Sequence, residues 1–229
     1  MSGQGAAHGT GSPGAGARGR FLTFEGIEGV GKTTQVARLA QVLTRHGIPH
    51  VVTREPGGTA LAERVRELVL TAGAERVPDA AELLLMFAAR SVHLENLIEP
   101  ALAAGRWVLC DRFTDATYAY QGAGRGMAQD VISRLEQLVQ ESLRPDLTFL
   151  LDLPVAVGLA RARMRHAGTA SAADRFERER VEFFERVRTG YLARARAEPA
   201  RIAIVDAGRG EEEVAAQIIG ALGGRSWIS

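Results

Sequence analysis

At 229 residues, with 46% hydrophobic and 24% charged side chains, the chain is long enough for one full-sized domain with a continuous core and has the composition of a soluble globular protein. A formal net charge of +1 provides no overall basic field for nucleic acid or an anionic membrane, and no apolar run is long enough to span a bilayer. The single cysteine, Cys110, excludes an intrachain disulfide; it falls in the apolar run WVLCD, where a buried core thiol is the simplest reading, and no Cys/His spacing suits zinc.

Residues 1–20 are rich in Gly, Ala and Ser and carry no apolar signal segment, so a flexible extension and a cytoplasmic setting are expected. FLTFE (21–25) reads as a strand running into a glycine turn. A helix is expected over 32–46, with Val36, Leu39, Ala40 and Leu43 on one face. HVVTR (50–54) is a second strand, followed by the turn EPGGT. Helical patterns cover 60–71 and 79–104, the latter with Pro100 near its end, and WVLCD (107–111) is a continuous apolar strand of the kind a parallel sheet buries. A helix at 128–143, a strand LTFLLD (147–152) and a helix from 155 to 165 follow. The small, polar segment RHAGTASAAD is expected to be mobile; helix resumes over 174–197, then a fifth strand RIAIVD (201–206) and a helix over 211–222. This alternation argues for the α/β class: a five-stranded parallel sheet with helices on both faces, in one domain over 21–229. Ligands should bind outside the carboxyl ends of the strands.

Gly26-Ile27-Glu28-Gly29-Val30-Gly31-Lys32-Thr33 fits G-x-x-x-x-G-K-[ST] between a strand and a helix, the context in which that spacing forms a phosphate loop. Backbone N–H groups of such a loop, with Thr34 behind it, cradle the phosphates of ATP at a helix N-terminus. Lys32 is expected on the β and γ phosphates and Thr33 on Mg²⁺. The cationic residues number 28, of which Lys32 is the only lysine; a compact ammonium fits among loop amides where a planar guanidinium does not. With no other lysine, a guanine-reading N-K-x-D motif is impossible. Asp111, ending WVLCD, is placed to reach the metal through water, and Arg112 follows it as a cation beside the acceptor.

FEGIEGVGKTT, TREPGGT (53–59), LLLMFAARSVH (83–93), DRFTDATYAYQGAGRG (111–126) and DRFE (174–177), in this order, resemble a bacterial thymidylate kinase of the P-loop nucleoside monophosphate kinase type, over nearly all of residues 21–206. The resemblance implies transfer of the ATP γ-phosphoryl group to dTMP with Mg²⁺, a lid over about 161–175, and a homodimer formed through the long helices at 79–104 and 128–143. It implies that Arg90 holds the acceptor phosphate, with Arg54 close by, and that Arg112 assists at the transferred phosphoryl. Glu28 then faces the sugar 3′-hydroxyl, Tyr120 packs on the deoxyribose, and Thr117 and Gln121 lie near the thymine edge. Glu55 and Pro56 of the EPGG turn shape the acceptor pocket. Family members carry an aromatic residue four positions before the FAAR-type arginine; here that position is Met86, with Phe87 beside it, and the family's Ser-Ser reads Ala116-Thr117.

Phosphoryl transfer proceeds mostly by positioning and charge neutralisation. The phosphate loop itself carries no arginine, so the resemblance turns to the lid: Arg161, Arg163 and Arg165, with Arg175 closing the segment at the ATP. Arg161 and Arg165, four apart, share a helix face and are the favoured pair; Arg163 does not join them. Adenine is expected between the lid and the loop Asp206–Arg209. A kinase for another nucleoside monophosphate, and a nucleotide-driven binding switch, are the competing readings.

Overall fold

The computed structural model describes residues 18–71, 75–167, 175–176 and 179–228, with only the backbone described at 165–167. The expected extension thus falls outside the described residues except for its last three, and so do most of the expected mobile segment and Asp174 and Glu177 of DRFE.

Five parallel strands form one sheet: β1 (Phe21–Glu25), β2 (His50–Arg54), β3 (Trp107–Asp111), β4 (Leu147–Asp152) and β5 (Ile202–Asp206), in the order β2-β3-β1-β4-β5. β1 is central and every one of its residues is buried. Its apolar side chains pack against helices on both faces; its one hydroxyl, on Thr23, pairs with Thr148 on β4 at 2.7 Å. The chain leaves β1 for the far edge at β2, returns through β3 beside β1, and only then crosses to β4. The reversal opens a crevice above the carboxyl ends of β1 and β3, where a doubly wound sheet binds its ligands.

The helices follow the expected order: α1 (Lys32–Arg45), α2 (Ala60–Leu70), α3 (Asp79–His93), α4 (Glu99–Ala103), α5 (Thr114–Thr117), α6 (Gln129–Gln140), α7 (Val155–Ala167), α8 (Val181–Ala197) and α9 (Glu211–Gly223). Two features differ from expectation. The stretch expected as one helix over 79–104 widens into a π-helical segment at Leu94–Ile98 before Pro100, whose ring and missing N–H a regular turn could not accommodate. The helix expected from 174 begins at Val181, and Arg175 and Phe176 instead form a turn against the acceptor wall.

Residues 112–127 carry motifs and no helical or strand period. They fold as α5 continuing into a π-helical stretch, Tyr118–Gly124, buried against α8. Gly190 on α8 makes that approach possible: a Cβ there would lie 2.6 Å from the Ala123 Cβ. Among the described residues no helix is long and apolar enough to cross a membrane.

Candidate active site

The turn after β1 is built around backbone that carries no side chain. Gly29 has φ +76, and a Cβ on it would lie 1.9 Å from the Gly158 carbonyl oxygen, so the loop closes onto α7 only with glycine there. Ile27 and Val30 turn their side chains into the core and leave their backbone to the loop, while Thr34 lies exposed on α1. Lys32 is buried beneath the loop; its Nζ donates to the Gly26 and Ile27 carbonyls at 3.1 and 2.9 Å. Burial, then the nearby Arg112 charge, lowers its pKa. Thr33 Oγ1 faces Asp111 Oδ2 at 3.3 Å, which brings the two expected metal-shell oxygens together.

A cavity of about 580 Å³ runs from this loop along the carboxyl ends of β1, β2 and β3. Lys32, Thr33 and Asp111 line one end; Met86, Arg90, Thr117 and Gln121 line the other, with Glu28, Arg112 and Tyr120 among its walls. Arg112 is bound from several sides. Its Nη1 donates to the Gly26 carbonyl at 2.7 Å and to the Tyr191 hydroxyl at 3.1 Å, its Nη2 pairs with Glu28, and its guanidinium lies 4.9 Å from the Tyr120 ring centroid. Burial pushes the Tyr120 hydroxyl well above its ordinary pKa, so it stays a neutral donor, 3.4 Å from Glu28 Oε1.

The far wall is held by a relay. Thr53 Oγ1 and His93 Nε2 are 2.7 Å apart, and His93 Nδ1 lies 3.0 Å from Glu55 Oε1. His93 thus bridges Glu55 and Thr53 through its two ring nitrogens. The second Glu55 oxygen accepts from Arg90 Nε at 2.7 Å, and Arg90 Nη2 donates to Thr117 at 2.9 Å. Arg90 Nη1 is buried without a partner among the described residues. A buried guanidinium N–H costs free energy unless an acceptor reaches it, so Nη1 is the donor this wall offers a ligand. Both Glu55 oxygens are paired with protein groups, and the residue itself also lines the cavity.

Several expected positions lie elsewhere. Met86 faces the cavity, but Phe87, one residue on and therefore rotated around α3, turns into a core cluster with Leu83, Tyr118 and Ile132 and supports Arg90 from 4.9 Å. Arg175 does not line the cavity; its guanidinium pairs with the fully buried Glu82 and donates to the Val69 carbonyl, on the acceptor side and not at the phosphate loop. Arg161 donates to the Ala207 carbonyl at 3.0 Å, bracing the loop after β5, and Arg163 is exposed on α7. The Arg165 side chain lies outside the described residues. Arg54 lines the cavity while paired with Glu63 at 3.0 Å.

Other contributors lie outside the expected site residues, although Phe176 falls within DRFE and Glu25 within FEGIEGVGKTT. Arg66 on α2 lines the cavity and donates to the Pro56 carbonyl at 2.8 Å, yet RVRELV reads only as an amphipathic helix. Phe176 also lines it and meets Tyr120 edge-on at 5.7 Å. Glu25, at the end of β1, is fully buried, and burial followed by Asp115 pushes its carboxyl up to about 8.

A family model described as Thymidylate kinase matches residues 24–218, from the strand feeding the phosphate loop to within α9. The chain belongs to the thymidylate kinase family. The thymidylate kinase of Teredinibacter turnerae is 56% identical over 204 residues, covering 89% of this chain and 97% of that one. That of Methylococcus capsulatus is 58% identical over 191 residues, covering 83% and 88%. Among solved structures, the thymidylate kinase of Ehrlichia chaffeensis superposes with a TM-score of 0.72 at 34% identity, over 90% of this chain and 99% of that one. The Ehrlichia chaffeensis structure thus shares this chain's overall fold.

Proposed function

We propose that this chain transfers the γ-phosphoryl group of ATP to dTMP, giving dTDP and ADP on the route to dTTP. The observation that carries the reading is the continuity of one cavity from Lys32 and Thr33 to Arg90 and Gln121, with Arg112 between the two ends. A phosphate loop alone binds a triphosphate; a second, apolar and hydrogen-bonding compartment joined to it supplies a place for an acceptor.

The acceptor phosphate of dTMP is mostly ionised at neutral pH, as a phosphomonoester with a second pKa of about 6. Its oxygen attacks the γ-phosphorus in line with the departing ADP, and neither a side-chain nucleophile nor a general base is required. Lys32 and Arg112 oppose the charge that spreads over the transferred group. Glu28 and Tyr120 take the sugar, and Met86, Thr117 and Gln121 take the thymine. Arg90 gives its open Nη1 to the nucleotide, and the acceptor phosphate is the partner its family resemblance implies. The loop Asp206–Arg209, braced by Arg161, takes adenine.

Thr33 and Asp111 fit Mg²⁺: both present hard oxygens to the cleft, and this ion is held by few protein oxygens, its remaining positions filled by phosphate and water. When bound, Mg²⁺ neutralises phosphate charge and orients the β and γ oxygens. We further read 21–229 as one catalytic domain, cytoplasmic, with a lid over about 161–175. A homodimer through α3 and α6 is supported by the exposure of Leu84 and Leu138 on these adjacent helices.

The test is ADP release from Mg·ATP with dTMP, dUMP, UMP, CMP, GMP, AMP or no acceptor. Strong stimulation by dTMP is expected. Preference for another nucleotide would move the substrate, and turnover indifferent to every acceptor would replace the kinase with a nucleotide-driven switch.

A further inference from the structure

Arg112 combines two features that need an explanation. Its backbone is left-handed, φ 69, although it is not glycine, and its long side chain is held in one orientation before any substrate contact. One buried carboxyl group addresses both. Glu25 Oε1 accepts from the Phe113 N–H at 2.7 Å, fixing the peptide that follows Arg112. Glu25 Oε2 accepts from the Tyr191 hydroxyl at 2.7 Å, and that hydroxyl in turn accepts from Arg112 Nη1 at 3.1 Å. Neither Glu25 nor Tyr191 lines the cavity.

We propose that Glu25 and Tyr191 are positioning residues for phosphoryl transfer, fixing the Nη1 edge of Arg112 so that its Nη2 edge alone exchanges partners. The inference rests on the reading of Arg112 as the arginine at the transferred phosphoryl. Nη1 is tethered to Tyr191 and the Gly26 carbonyl, both parts of the fold. Nη2 is held by Glu28, which the sugar hydroxyl of dTMP would engage in turn. Acceptor binding then loosens one edge of the guanidinium toward the phosphoryl oxygens while the other edge keeps its direction. A charge whose orientation is set in advance needs little reorganisation when the reaction occurs.

The deciding variant is Tyr191→Phe, which keeps the ring that packs 6.3 Å from Tyr120 and removes only the hydroxyl. The expected result is a roughly tenfold fall in kcat, the scale of one lost hydrogen bond to a charged group. KM for dTMP and for ATP should stay within about twofold, which separates positioning from binding; a modest fall in Tm accompanies the lost buried hydrogen bond, and kcat is read well below it. In an Arg112→Ala background, Tyr191→Phe should cost nothing further. Unchanged kcat in Tyr191→Phe, or an equal loss in both backgrounds, overturns the inference. Wild-type turnover by Arg112→Ala would instead overturn the reading of Arg112 beneath it. Glu25→Asp, which shortens the arm by one methylene and withdraws the carboxyl from both Phe113 N–H and Tyr191, should give the same kcat-selective loss; retained kcat in that variant removes Glu25 from the proposal.

Discussion

Arg112 and Glu28 form an ion pair that ties the loop after β3 to the phosphate loop, at the point where the two ends of the cavity meet. The pair explains how a loop with a carboxylate at its centre serves a reaction that gathers negative charge. Glu28 is neutralised by a cation that also stands at the transfer site. Arg112→Ala should therefore lower kcat by about 10³-fold, the scale of an arginine at a transferred phosphoryl group. It should also leave Glu28 partly buried without this partner. Steady-state kinetics with dTMP varied at saturating ATP will measure it, and a loss confined to KM would contradict the assignment.

Lys32→Arg tests the space beneath the loop. The ammonium reaches the Gly26 and Ile27 carbonyls from a buried position, and a planar guanidinium does not fit the same place. Turnover should fall at least about 10²-fold, the loss typical of removing one electrostatic stabiliser. Fluorescent-nucleotide binding together with turnover would show whether the loss lies in binding or in transfer; full activity would exclude the tight loop described above.

Neighbouring residues on α3 should separate function from stability. Met86→Ala should raise KM for dTMP and narrow its advantage over UMP, with little change in Tm. Phe87→Ala should cost about 3 kcal/mol of stability, as for other buried phenylalanines, and loosen Arg90 indirectly. Parallel melts and acceptor kinetics decide this, and equal effects of the two substitutions on KM with equal Tm would reverse the assignment of the two faces.

The Glu25 carboxyl, raised from 4.5 to about 8 by burial and then by Asp115, couples folding to pH. Between these values the folded chain holds a proton that the unfolded chain releases, so this contribution to stability is full below about 4.5 and lost as pH rises through about 8. Glu25→Gln cannot ionise. Its Tm relative to wild type should rise from pH 5 to about pH 8 and level off above, and a constant difference across that range would refute the shift. Asp115, Arg112 and Tyr191 act on Glu25; Lys32, Tyr120 and Cys110 also feel its charge, and all are common to both proteins.

The arginines of the proposed lid offer a fifth test. Arg161 is engaged by Ala207, so the burden of the resemblance falls on Arg165. Arg165→Ala should lower kcat at least about tenfold, far more than it raises KM for dTMP. Unchanged turnover would remove the lid from the charge balance and leave Lys32, Arg112 and the cavity-lining Arg54, Arg66 and Arg90 as its cations.

The sequence by itself determined the alternation of strands and helices, the phosphate loop and the family. Each is written in contiguous residues whose spacing has a direct backbone meaning. FLTFE, WVLCD and LTFLLD form strands within a residue of their expected limits because a strand buried on both faces needs an unbroken apolar run. Only the tertiary structure decided which side chains meet. Met86 and Phe87 are indistinguishable by spacing until α6 and the stretch after α5 cover one face of α3. Arg175 follows its partner Glu82 by 93 residues, and Tyr191 follows Glu25 by 166. Hydrogen bonds of that separation depend on how the sheet brings elements together, and no local period in the chain encodes them.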